Sequence, residues 1–215
     1  MSAPEIYITA DCVVRGNKVI SNGSLLYAHE GAAITEFLEG FYRHLAIDYQ
    51  KFFKMDRLSK LGLLTAEVLA SNGWRQRQYA PENTGIVLTN AQASLDADIR
   101  YYASVSNLPS PALFVYTLPN IVIGEISIRH GFKGENAFFV SEQFDPALLG
   151  FYAGELLRHT STQACIAGWV DVIGEEYEAV MVLLEKEATP GAKPFTTEQL
   201  TKLYATDHGA INANA

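Results

Sequence analysis

Cysteine is scarce in this chain of 215 residues. Cys12 and Cys165 are the only two, too few for a disulfide framework and without the paired spacing of a zinc site. The reading this supports is a reducing compartment. Positive charge is also in deficit: 16 Lys and Arg against 24 Asp and Glu give a net charge of −8. No broad basic surface is then available to neutralise phosphates, which argues against nucleic acid as a partner. No apolar run approaches the roughly 18 residues of a spanning helix. Near the N-terminus Glu5 stands where a signal peptide carries basic residues, and Asp11 breaks the apolar run. We expect a cytosolic protein with no membrane contact. The dinucleotide fingerprint, the Walker A loop, H-E-x-x-H, G-x-S-x-G and the EF-hand loop are all missing, which removes those enzyme classes. The histidines His29, His44, His130, His159 and His208 include no pair at three- or four-residue spacing, so no local metal site is read. No cofactor is implied, and there is no internal repeat.

What is present fits one globular domain, or at most two small ones: 48% of residues are hydrophobic and 19% charged. Short β-branched runs alternate with segments of helical period, the pattern of a layered α/β fold. Residues 6–9, 85–89, 137–141, 163–172 and 177–185 read as strands. The near-continuous hydrophobicity of IVLT, AFFVS and AVMVLL suggests cover on both faces. Gly174 and Glu175 make a tight turn, so the last two strands pair antiparallel and the sheet is mixed. Asn22-Gly23-Ser24 is a formal sequon, but on a cytosolic protein it reads as an Asn-Gly turn.

Helices are expected between the strands. Asp56 is a candidate N-cap for a helix with Leu58, Leu61, Thr65, Val68 and Leu69 on one stripe, ending at Asn72-Gly73. Others run over 94–103, from about 119 to 131, and over 146–159. Residues 187–194 read as a linker, followed by a short helix over 197–204 and a frayed tail at 209–215. The division expected is a domain over 1–186 and a linker, helix and tail over 187–215.

One stretch invites chemistry. Residues 137–141 form a buried strand that runs through Ser141, Glu142, Gln143, Phe144 and Asp145 directly into a helix starting at Pro146. Such an elbow can present a nucleophile at a helix N-terminus, where the dipole and free N–H groups stabilise an anion. Here it holds no cysteine. Ser141 and Asp145 read as helix caps, and Glu142 with Asp145 as ordinary dipole complements rather than an acid/base pair. Cys165, in the apolar run ACIAGW, reads as a buried inert thiol.

Taken together, several segments resemble the N-terminal half of the β-ketoacyl-acyl carrier protein synthases, of the thiolase-like superfamily. Lys54-Met55-Asp56-Arg57 is similar to the K-M-D-R that opens the family's first long helix, and Asn83-Thr84-Gly85-Ile86-Val87-Leu88 to the strand after it. The segment from Pro119 through Gly124-Glu125-Ile126-Ser127-Ile128 to Gly131-Phe132-Lys133-Gly134 resembles the helix and Gly-x-x-Gly turn ahead of the nucleophile elbow. Ala164-Cys165-Ile166-Ala167-Gly168-Trp169, continuing to Glu185, resembles the closing strand pair. The resemblance covers about residues 4–186. It implies half of a thiolase-like fold, with a mixed five-stranded sheet covered by helices on both faces.

The departures govern the function that the resemblance implies. The family's elbow carries the cysteine that accepts the acyl chain, whereas the matching position here is Phe144, or Gln143 if one residue is missing. The family's catalytic histidines, its lysine and its Gly-rich loop belong to the second half of the fold, for which these residues hold no counterpart. The set acts together, so independent condensing activity is not expected. Chain-length factors of type II polyketide systems look like ketosynthases without the cysteine, often with glutamine in its place, and pair with an active ketosynthase. Truncated ketosynthase-like proteins of aryl-polyene and flexirubin-type pathways resemble this chain in length. We therefore expect a silent, chain-length-factor-like accessory subunit of fatty-acid- or polyketide-type assembly. It would pair with itself or with a full-length ketosynthase, and meet the acyl carrier protein indirectly. Family dimers pair along the strand before the elbow, here Ala137, Phe138, Phe139 and Val140. The helix near the partner's channel would then offer Tyr116, Ile121 and Ile123 as wall residues, unless these side chains are simply core. A lone half-fold is expected to expose apolar surface. Two alternatives stay open: a minimal acyl-transfer, decarboxylating or hydrolytic enzyme using Ser141 with a distant histidine such as His159, and a stand-alone acyl- or carrier-protein-binding module.

Overall fold

A computed structural model describes residues 5–74, 79–106 and 108–205. His208 and the tail expected at 209–215 lie outside the described residues. In chain order the elements are β1 (Tyr7–Arg15), β2 (Lys18–Ser21), β3 (Ser24–Ala28), α1 (Ile34–His44), α2 (Arg57–Leu69), β4 (Thr84–Asn90), α3 (Leu95–Val105), α4 (Pro111–Phe114), α5 (Ile121–His130), β5 (Asn136–Val140), α6 (Pro146–His159), β6 (Ala164–Ile173), β7 (Glu176–Glu185), β8 (Lys193–Pro194) and α7 (Thr197–Ala205). Among the described residues they build one mixed sheet of eight strands, ordered β3-β2-β1-β7-β6-β4-β5, with β8 paired to β1. β4 runs parallel to β5 and β6, while β7 is antiparallel to β6 and β1.

The five strands expected from the sequence make the body of this sheet. The hairpin β2–β3, helices α1 and α4, and the short strand β8 at the end of the stretch expected as a linker are additions to that expectation. Asn22-Gly23 is the turn of that hairpin, with positive φ at both residues (49° and 78°), which suits the twist of a two-residue loop. Ser24, Leu25 and Leu26 are exposed, so β3 shows no buried alternation to betray it. α1 places Ile34, Phe37, Leu38, Phe41 and Tyr42 on one buried stripe.

Each face of the sheet carries a core. On one, α1, α2 and α5 pack around Phe37, Phe41, Leu64, Leu69, Ile126 and Met181. Eleven of the thirteen residues of α2 are buried, because the sheet lies on one side of it and α1 and α5 on the other. Asp56 caps α2 as expected, accepting from Ser59 N at 3.0 Å. On the opposite face α6 and α7 pack around Val87, Phe144, Leu149, Leu157, Trp169 and Leu184. α7 covers part of this face, although α6 still exposes Phe151 and Tyr152. β4 is buried throughout, whereas AFFVS is an edge strand, half-buried at Ala137, Phe138 and Phe139 and exposed at Val140.

The turn from α5 into β5 depends on both of its glycines. Gly131 ends α5 in the left-handed region at φ 74°, where a side chain is strained. A Cβ on Gly134 would fall 2.3 Å from Thr84 O, so only glycine lets this loop lie against the start of β4. No helix among the described residues is long and apolar enough to cross a membrane.

Candidate functional site

β4 and β5 are parallel neighbours, and in open α/β sheets binding sites gather where parallel strands end and helices begin. The elbow lies at such an end. Ser141 N donates to Asn90 O at 2.9 Å, closing the β4–β5 ladder just before the chain turns. Asp145 then caps α6: its Oδ1 accepts from Ala147 N and Leu148 N, each at 2.9 Å, and Pro146 follows at the first helical position. Ser141, however, is not a cap. Its hydroxyl donates to Gln143 O at 3.0 Å and so stiffens the elbow itself. Residues Ser141 to Pro146 border an open pocket of about 450 Å³.

Within the elbow only Phe144 turns inward, at 9% exposure, while Glu142 and Gln143 face outward. Its ring meets Trp169 of β6 edge-on, with centroids 6.2 Å apart and planes at 89°. On the other side it stacks on Tyr204 of α7, at 4.3 Å and 9°. Burial and the hydrogen bond from its hydroxyl to Glu178 Oε1 push the Tyr204 phenol up to about 12, so it stays protonated. The position at the helix N-terminus therefore holds an aromatic ring built into the core rather than a nucleophile.

No thiol compensates. Cys12 and Cys165 are fully buried in β1 and β6, and burial raises both, Cys165 to about 12, which keeps them as inert thiols. The pairing of Ser141 with His159 is also not made. His159 closes α6, a helix of 14 residues and hence about 20 Å long, and lies 3.6 Å from Glu155. His130 is held in the opposite core, against Trp74 and Phe132 and 3.8 Å from Glu67. Among the described residues no three His, Cys, Asp or Glu side chains converge as a metal site would need.

The other anticipated residues fall into two groups. Tyr116 and Ile123 are buried in the core beside α2, at 6% and 2% exposure, and Tyr116 donates to Glu125 Oε1 at 3.1 Å. Ile121 is half-buried. Ala137, Phe138, Phe139 and Val140 form the open edge of the sheet. Phe138 packs on the α2 side, while Phe139 faces α6, its ring 4.2 Å from that of Tyr152. Backbone groups alternate in direction along a strand, and Glu135 O and Ser141 N both engage β4. Those of Asn136, Phe138 and Val140 therefore point away from the sheet, free to pair. What the sequence reading missed is the part played by α7: Tyr204 was not singled out, although an aromatic residue on a short amphipathic helix was the signal available.

No protein-family model matches the sequence, and no curated protein does. Solved structures do match. The ishigamide ketosynthase/chain length factor superposes with a TM-score of 0.60 at 18% identity, over 88% of this chain and 64% of that one. A type II polyketide ketosynthase, solved with its acyl-carrier protein and bound to the hexaketide, matches with a TM-score of 0.58 at 13% identity, over 85% of this chain and 63% of that one. The complex of the ketosynthase ApeO with its chain length factor ApeC, from Xenorhabdus doucetiae, matches with a TM-score of 0.52 at 14% identity, over 86% of this chain and 80% of that one. The chain thus spans less than two thirds of the first two. The likeness shows the fold: over the part it spans, the chain, with one mixed sheet and helices on both faces, shares the fold of these ketosynthase and chain length factor structures.

Proposed function

We propose that this chain is a catalytically silent, ketosynthase-like accessory subunit that pairs, along the β5 edge, with a full-length ketosynthase or with itself. The observation that carries this reading is Phe144. By the resemblance of the sequence to the ketosynthase elbow, Phe144, or Gln143, would stand in place of the acyl-accepting cysteine, and an aromatic ring clamped between Trp169 and Tyr204 can form no thioester. A chain length factor bound to its ketosynthase among the structural neighbours supports the pairing. So does the edge strand, whose outward backbone groups would otherwise be an aggregation hazard. A second apolar surface also asks for cover: α3, α4 and the segment after it expose Ile99, Tyr102, Phe114, Val115 and Leu118. In this reading the carrier protein meets the partner's active site, the half-buried Ile121 offers wall surface to the partner's channel, and the work is done in the cytosol.

An electrophilic acyl probe tests the silence. The wild-type chain should take up none under conditions that label a control ketosynthase, and Phe144→Cys should install a thiol but no condensation. Labelling of the wild type that disappears in Ser141→Ala would overturn the reading in favour of an enzyme working from the elbow.

A further inference from the structure

Besides its stack on Phe144, Tyr204 is held by contacts that reach back to the sheet. Its hydroxyl donates to Glu178 Oε1 at 2.9 Å, its carbonyl accepts from Arg15 Nη1 at 3.0 Å, and the Arg15 guanidinium lies 5.0 Å above its ring. Arg15 and Glu178 are cross-strand partners in β1 and β7 and form an ion pair at 2.8 Å. One half of this latch is therefore fixed in the middle of the fold. The other half rides on α7.

Elsewhere the segment is attached by an ion pair of Lys193 with Asp11 at 3.7 Å, by the half-buried Phe195 and Leu203 on the core, and by short backbone pairing. β8 pairs only with Tyr7 and Ile8, and Phe195 N donates to Ile6 O at 2.8 Å. Leu200 is the single buried residue of α7. The preceding stretch 187–192 belongs to no helix or strand and exposes Glu187, Ala188, Pro190 and Gly191. A helix of nine residues does not hold its shape alone in water, so α7 persists only while it is docked. Few buried contacts and an exposed tether are the marks of a segment that opens before the rest of a protein unfolds.

We propose that residues 193–205 are a releasable strap that closes over the elbow, with Tyr204 as its latch. Closed, it holds Phe144 inward and covers Val13, Ile20 and Val180, against which Leu203 and Tyr204 pack. Open, it bares that apolar surface beside the elbow pocket and frees one face of Phe144. The strap is thus an autoinhibitory contact on the inner side of the elbow: whatever engages the stacked face of Phe144 must first displace it. This does not depend on the partner being a ketosynthase.

Hydrogen exchange on the full chain tests the proposal. In the wild type, peptides over 193–205 should exchange at least tenfold faster than those over 164–185. Tyr204→Ala should accelerate exchange in 141–150 and 193–205 by about tenfold again and leave 164–185 unchanged. Tyr204→Phe, which keeps the stack and loses only the hydrogen bond, should fall between. Equal rates for strap and central strands in the wild type would show that the strap opens only with global unfolding, and would overturn the proposal even if Tyr204→Ala failed to fold. Unchanged elbow exchange in a folded Tyr204→Ala would overturn it as well.

Discussion

Val140→Pro should leave the chain folded and weaken its pairing by roughly 30- to 150-fold. Val140 is 54% exposed on the edge strand, and its backbone N–H points away from β4. Proline at such a position takes nothing from the β4–β5 ladder, since the group it removes points away from β4 and has no partner strand among the described residues. Its ring also suits the extended backbone of a strand. In a pair built along β5 the same N–H would be a donor. Losing it strands an acceptor on the partner and puts a ring between the strands, at a cost of about 2–3 kcal/mol, which is that range of dissociation constants. Sedimentation of wild type and variant, with circular dichroism to confirm the fold, gives the answer. Association unchanged by Val140→Pro would place the pairing surface elsewhere, with the apolar face of α3 and α4 next in line.

Phe41→Ala should destabilise the chain by about 3–5 kcal/mol. Domains of this kind hold about 5–15 kcal/mol in all, so the variant would stand near the limit of folding. Phe41 is fully buried, its ring stacked on Tyr27 of β3 at 5.7 Å and 6.2 Å from that of Phe37. It joins the hairpin to α1, and Phe37 beside it is itself wedged between Tyr27 and Tyr177, which limits collapse into the space. Urea denaturation should show the midpoint falling with an unchanged slope. A loss below about 1 kcal/mol, far short of a large core truncation, would mean that α1 does not pack on the hairpin as described.

How much of this was legible in the sequence depended on whether a local pattern had a single reading. β4, β6 and β7 carry near-continuous apolar runs because helices cover both faces, and runs such as IVLT say so directly. Asp56 and Asp145 announce helix starts because their carboxylates satisfy N–H groups a few residues on, a local interaction. Asn22-Gly23 was legible as a turn but not as a hairpin, since β3 buries almost nothing. The apolar spacing from Ile34 to Tyr42 is a local signal of α1. AFFVS looks like a central strand, yet it lies at the edge, because composition reports burial of side chains and not whether a neighbouring strand exists.

At the elbow, the sequence could say that no cysteine stands there, but not what Phe144 does. That depends on Tyr204, sixty residues further along, held in place by Arg15 and Glu178 from opposite ends of the chain. No local pattern carries such a contact. The distance between Ser141 and His159 was open to arithmetic, since a helix running between them sets them about 20 Å apart.

The most direct test of the account is the native mass and composition of the complex formed by the tagged chain in its own cells, measured for the wild type and for Val140→Pro. The account predicts a two-chain assembly, the second chain being a full-length ketosynthase in near one-to-one amount or another copy of this chain, and its loss in the variant. A wild-type chain recovered alone and as a monomer would contradict it.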